Sequence, residues 1–135
     1  MSPRLFRIIL PVTDLDRAAA FYARVLGFPG VRVSGGRHYF DCGGTILACF
    51  DPRADGDDLD LPPLPDHLYF SADDLEAIRD AIEPAGGRLA QGEVHGGPAS
   101  GIARRPWGER SFYAIDPFGN RLCFVEKGTE FTGAR

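Results

Sequence analysis

Leu15-Asp16-Arg17-Ala18-Ala19-Ala20-Phe21-Tyr22 opens a helix directly after a strand-like run, and Asp74-Leu75-Glu76-Ala77-Ile78-Arg79 does so again later in the chain. In the first copy Leu15, Ala18, Ala19, Tyr22, Val25 and Leu26 recur at helical spacing. Thr13 or Asp14 is placed to cap that helix, Asp16 favours its first turn, and Gly27 stops it. In the second copy Asp73 or Asp74 caps a helix carrying Leu75, Ile78, Ala81 and Ile82; Pro84 closes it and Gly86-Gly87 leads out. A strand, an acidic cap and an amphipathic helix therefore occur twice. This internal repeat organises the chain.

The flanking segments extend each copy. Residues 4–12 read as a strand with Phe6, Ile8 and Leu10 on one face and Leu5, Arg7 and Ile9 on the other. After Gly27, strands fit 30–34, 37–42 and 45–50, with Gly35-Gly36 and Gly43-Gly44 as tight turns. Residues 51–65 are acidic and rich in proline, without apolar periodicity, and read as a surface linker. Strands are then expected over 67–72 and 88–94, followed by a loose loop at 96–101. A hairpin, 111–115 and 121–126, turns on Asp116-Pro117-Phe118-Gly119-Asn120, and residues 128–135 read as a fraying tail. The expectation is an α+β fold of two βαβββ modules, 4–50 and 66–127, within one domain spanning 1–135. A single such unit leaves one sheet face without a helix, so two curled mixed sheets are expected to enclose a groove.

Composition narrows the function. A chain of 135 residues can bury a genuine core. A net charge of −4 argues against nucleic acid as partner, because phosphate recognition needs a basic face. No apolar run is long enough to span a bilayer, so no membrane role is expected. The N-terminus lacks the regions of a signal peptide. Cys42, Cys49 and Cys123 are an odd number without metal-type spacing, which fits a reduced, cytoplasmic setting.

Pro11-Val12-Thr13-Asp14-Leu15, Ala20-Phe21-Tyr22 and Val25-Leu26-Gly27-Phe28 resemble the opening of the vicinal oxygen chelate superfamily, which includes glyoxalase I, fosfomycin and bleomycin resistance proteins and extradiol dioxygenases. Asp66-His67-Leu68-Tyr69-Phe70-Ser71 resembles the start of its second module. Pro106-Trp107-Gly108 with Asp116-Pro117-Phe118-Gly119-Asn120 resembles its end, nearest the bleomycin-resistance branch. The resemblance covers nearly the whole chain but selects no single activity. Metal-dependent members hold their ion with side chains from four places, which fall here on Arg7, Ala48, His67 and Cys123. Arg7 has no lone pair and carries a permanent charge, and Ala48 has no donor. Only His67 and Cys123 are potential ligands, so no divalent metal and no other cofactor is expected.

The candidate ligand-binding residues are therefore Arg7, Tyr39, His67, Trp107, Ser111, Tyr113 and Cys123. Arg7 would meet an anionic group, or is an exposed strand arginine. His67 and Tyr113 would hydrogen-bond, or are structural. Trp107 would stack on a flat ligand, or packs over its own turn. Ser111 and Tyr113 share a hairpin face with Cys123, itself a small core residue or a thiolate near a cation. Arg104, Arg105 and Arg110 form either solvated surface charge or an anion-attracting rim. His38 and His95 read as ordinary histidines. Asp51, Asp55, Asp57, Asp58 and Asp60 lack calcium-loop spacing and read as solvated. Two functions follow. One is a homodimer that sequesters a small aromatic or anionic molecule, an antibiotic or a metabolite. The other is a lyase, isomerase or dioxygenase-type enzyme with His67 as tentative catalytic base or metal ligand. A cavity shared by two chains would draw Arg7 and His67 from different protomers.

Overall fold

The computed structural model describes residues 1–133, and the end of the expected tail, Ala134 and Arg135, lies outside them. The chain divides into two compact units, Met1–Leu64 and Pro65–Arg135. Both are α+β, and both repeat one strand order.

In the first unit β1 (Arg7–Pro11) is followed by α1 (Leu15–Leu26), β2 (Val31–Ser34), β3 (Arg37–Cys42) and β4 (Thr45–Phe50). The sheet order is β1-β4-β3-β2, with β1 parallel to β4 and the remaining pairs antiparallel. Asp14 caps α1 by accepting from Arg17 N at 3.1 Å. Gly27 ends it in the left-handed region, at φ 88°, where its N–H reaches Ala23 O. The helix buries Leu15, Ala18, Phe21, Tyr22 and Val25. Tyr22 meets Phe40 of β3, which shares its side of the sheet with His38. His38 is held by Pro29 O at 2.9 Å on Nε2 and by Arg32 Nε at 3.3 Å on Nδ1. Both ring nitrogens are thus engaged, and the imidazole is structural.

The second unit begins with β5 (Leu68–Ala72) and α2 (Leu75–Ile82), the latter capped by Asp74, which accepts from Ala77 N. Its sheet order is β5-β11-β10-β6, the first unit's order again, from β6 (Arg88–Leu89), β10 (Arg110–Ile115) and β11 (Arg121–Glu126). Phe70, Phe124 and Phe112 stack across this sheet on one face. The expected strand over 88–94 is broken. It survives as β6 and as β7 (Glu93–Val94), which pairs with β8 (Gly97–Pro98) inside the expected loose loop. Gly92, Gly96 and Gly97 all take positive φ there, and the chain leaves the sheet after Leu89. A further short strand, β9 (Ala103–Arg104), pairs with β10.

The hairpin turn behaves as expected, with one refinement. Asp116 Oδ1 accepts from Phe118 N and Asn120 N, Asn120 Nδ2 donates to Asp116 Oδ2, and both side chains are buried. Only Gly119 uses positive φ; Asn120 does not. The linker is more ordered than its composition implies. A 3₁₀ turn, Arg53–Asp55, brings the Asp55 carboxylate to Gly36 N and Ser34 Oγ, so it pins the β2–β3 turn. A side chain on Gly36 would meet Asp51 O at 2.4 Å.

Candidate functional site

In each sheet, strand alternation assigns one face to the helix and leaves the other for different use. In the first unit that second face carries the cross-strand row Ile9, Ala48, Tyr39 and Val31. Arg7 and Arg37 fall on the same side. Arg37 Nη1 donates to the Tyr39 hydroxyl at 3.1 Å and Arg7 Nη1 at 3.3 Å. Arg37 also lies over the Phe50 ring at 4.1 Å, and Arg7 over Phe6 at 4.9 Å and Tyr39 at 5.8 Å. Partial burial raises the Tyr39 phenol, but the bonds and charges of Arg37 and Arg7 outweigh it and hold the phenol below its ordinary value. Arg7 and Tyr39 are thus brought together, with Arg37 as a third member that the sequence did not single out. The three form a cationic, partly exposed patch able to meet an anion.

The same face of the second unit is filled. Its rows are Tyr69–Cys123–Tyr113 and Ser71–Val125–Ser111. The segment after β6 folds back over them, so that Tyr113, Cys123 and Val125 pack with Ala90, Val94 and Ala99. Tyr113 is only 5 % exposed, Cys123 and Ser111 1 % each. Burial, then the neighbouring Cys123, push the Tyr113 phenol up to about 12. Burial pushes the Cys123 thiol up to about 11, despite hydrogen bonds to Tyr113 and Ser111, so it is a neutral thiol at neutral pH.

Arg105 locks this filling. It is 2 % exposed, and its guanidinium donates to Ser111 Oγ, Ser111 O, Gly101 O, Pro98 O and Gly97 O while lying 5.2 Å from the Tyr113 ring centre. Of the two readings of Arg104, Arg105 and Arg110, solvated surface charge or an anion-attracting rim, the rim is not formed and Arg105 is not on the surface. Arg105 serves the interior, Arg110 pairs with Glu76 and Glu126, and Arg104 donates to Gly108 O.

An open groove of about 580 Å³ remains at the β5 edge of this unit, lined by Tyr69, Phe70, Ser71, Trp107, Glu109, Val125, Glu130 and Phe131. That volume suits a small organic molecule. Trp107 sits on a tight turn in which Arg105 N bonds Glu109 O and Gly108 N bonds Arg105 O. Its indole N–H donates to Glu109 Oε1 at 2.8 Å, and Glu109 Oε2 accepts from Phe131 N at 2.8 Å. Ser71 Oγ donates to Glu130 Oε2 at 2.6 Å and Gly128 N to Oε1 at 2.7 Å. Residues 128–131, expected to fray, are tied down by these bonds. Trp107 is the one residue of the expected set that lines the groove. Period-2 alternation from His67 would have found Tyr69 and Ser71. Glu109, Glu130 and Phe131 left no sequence signal.

His67 lies just before β5. Its Nδ1–H donates to Asp66 Oδ1 at 2.9 Å, and its ring meets Tyr113 edge-on at 5.2 Å. Asp66, held below the usual carboxylate range by the His67 backbone N–H and then by the ring, fixes the tautomer and leaves Nε2 as a potential base. At the four positions that the resemblance assigns to metal ligands, Arg7 is a cation engaged with Tyr39 and Ala48 has no donor, so only His67 and Cys123 carry atoms able to ligate. Among the described residues no three His, Cys, Asp or Glu side chains form a group suited to a metal, and no helix is long and apolar enough to cross a membrane.

The comparisons with known proteins agree with this architecture. No curated protein matches the chain. Among solved structures it is similar to a glyoxalase/bleomycin resistance protein from Albidiferax ferrireducens (22 % identity, 90 % of this chain and 96 % of that one, TM-score 0.68). It is also similar to a glyoxalase-related enzyme from Fulvimarina pelagi (20 % identity, 97 % and 93 %, TM-score 0.69). A third is a lactoylglutathione lyase from Agrobacterium tumefaciens (28 % identity, 93 % and 95 %, TM-score 0.63). The sequence model of one superfamily matches residues 4–124, so the chain belongs to the Glyoxalase/Bleomycin resistance protein/Dioxygenase superfamily.

Proposed function

We propose that the chain is a small-molecule binding protein of the bleomycin-resistance kind. In this reading it is a cytoplasmic homodimer that holds an aromatic or anionic antibiotic or metabolite without a full metal site. The observation that carries it is the groove of about 580 Å³ walled by Tyr69, Trp107 and Phe131. Its aromatic faces favour flat ligands, and the neighbouring Cys123 is protonated and buried, which suits packing better than chemistry. The Arg7, Arg37 and Tyr39 patch of the first unit supports recognition of an anionic group. Titration of a planar aromatic panel should quench Trp107 fluorescence. Calorimetry on Trp107→Ala should show affinity lower by about tenfold, the order expected for a lost aromatic contact. Silence across a broad panel would refute the proposal. Metal analysis after dialysis against zinc, iron or manganese should find no stoichiometric ion; one tightly held ion per site would restore metal chemistry.

A second reading rests on the Asp66–His67 pair. With its tautomer fixed, His67 is a candidate general base for a lyase, isomerase or related reaction on the same scaffold. Turnover of a substrate panel that is lost in a folded His67→Ala variant would favour it over sequestration.

A further inference from the structure

Among the described residues that line the groove of the second unit, the charged ones are all carboxylates. Glu109 and Glu130 both face it, and among the described residues neither forms an ion pair. Their bonds come from neutral donors: the Trp107 indole and Phe131 N for Glu109, the Ser71 hydroxyl and Gly128 N for Glu130. Such bonds orient a carboxylate without cancelling its charge. The nearby cations lie outside the described lining: Arg110 pairs with Glu76 and Glu126, Lys127 with Asp73, and Arg105 and Arg104 are held by carbonyls, Arg104 by Gly108 O.

The walls act in the same direction. Tyr69 is 61 % exposed and Phe131 41 %, so both offer ring surface to a ligand. A carboxylate accepting from the indole N–H raises the electron density of the Trp107 ring, which strengthens its pull on a cation above its face. An anion entering here would meet two carboxylates and no cation among the described lining residues.

From this geometry we propose that the second unit's groove selects an organic cation, a flat aromatic ring carrying a positively charged amine. The ring lies among Trp107, Tyr69 and Phe131, and the ammonium lies between Glu109 and Glu130. This rests on the reading of the groove as an aromatic-binding site, and at this groove it replaces the anionic option.

The test is calorimetric titration of the whole chain with three matched probes: 1-naphthylmethylammonium, 1-naphthylmethanol and 1-naphthoate. The ammonium should bind at least about tenfold more tightly than the alcohol, the carboxylate weakest, and the preference should shrink as salt screens it. Glu130→Gln, at an exposed position, and Glu109→Gln should each shrink the ratio of ammonium to alcohol affinity. Near-UV circular dichroism checks that each variant keeps its packing. Should Glu109→Gln unfold, the Glu130→Gln result decides. Equal affinity for all three probes would keep the aromatic-binding reading and overturn the charge selection. Tightest binding of the carboxylate would overturn it in favour of an anionic ligand. Binding of none would overturn both.

Discussion

The two units share a strand order and a capped helix, yet they treat the sheet face opposite the helix in contrary ways. In the first, three strands follow the helix without interruption, and the face carries Tyr39 between Arg7 and Arg37. In the second, the strand after the helix lasts two residues before glycines turn the chain back across the sheet. That segment is anchored by a buried guanidinium that the first unit lacks. One ancestral plan thus yields a cationic open patch and a filled face with an acidic groove at its edge. The lesson is that strand order does not set what a sheet face does; the length and anchoring of one strand after the helix do.

The contrast can be broken most directly at Arg105. Arg105→Leu removes the donor that bonds the buried Ser111 hydroxyl and carbonyl and three further carbonyls, and should cost roughly 3–5 kcal/mol in urea unfolding. Arg7→Ala, on the open face, should change stability by no more than about 0.5 kcal/mol. If the two cost the same, the second face is not held by its guanidinium.

The hairpin turns come next. Asp116 is buried and bonds Phe118 N, Asn120 N and the Asn120 amide, whereas Asp41 in the first unit's turn is exposed and accepts from Gly44 N. Asp116→Ala should cost about 2–3 kcal/mol and Asp41→Ala about 1 kcal/mol or less. Equivalent losses would show that burial is not what separates the turns.

The filled face should also protect its thiol. Cys123, pushed up to about 11, should react with thiol reagents at pH 8 far more slowly than a free cysteine. Because the folded value lies above the ordinary one, its contribution to stability is complete below about pH 9. It is lost as pH rises toward 11, and Cys123→Ala should flatten that part of the unfolding profile. A fast-reacting Cys123 would mean that the overlying segment opens readily.

The smallest effect lies on the open face. In a spectrophotometric titration Tyr39 should ionise below the ordinary tyrosine range, ahead of Tyr113, which is pushed up to about 12. Arg37→Ala should move Tyr39 back upward, and an unchanged titration would remove the two-guanidinium patch from consideration.

Much of the framework was legible in the residues alone. Thr13-Asp14 and Asp73-Asp74 mark caps, Gly27 marks a helix end, and the apolar run 45–50 with the alternating 111–115 and 121–126 marks strands, because each is governed by neighbours within a few positions. The broken strand at 88–94 was not legible. Its alternation is weak, and what removes it from the sheet is a set of glycine turns whose cost is met by packing on Tyr113, Cys123 and Val125. Arg105 was misread for a related reason. Arginine is exposed in most proteins, and its five acceptor atoms come from residues 97 to 111 that a linear reading cannot bring together.

The candidate site divides along the same line. Arg7 was singled out by its place in the family resemblance, Tyr39 as a third-strand wall residue, and Trp107 as a loop tryptophan beside Pro106 and Gly108. Glu109, Glu130 and Phe131 entered the groove only when the chain after β11 folded back onto Ser71 and Glu109. The sequence by itself determined the two βαβββ plans and the family, since caps, turns and periodicity are local. Tertiary structure alone decided which face stayed open, which was filled and where the carboxylates gather, because those outcomes depend on contacts between residues far apart along the chain.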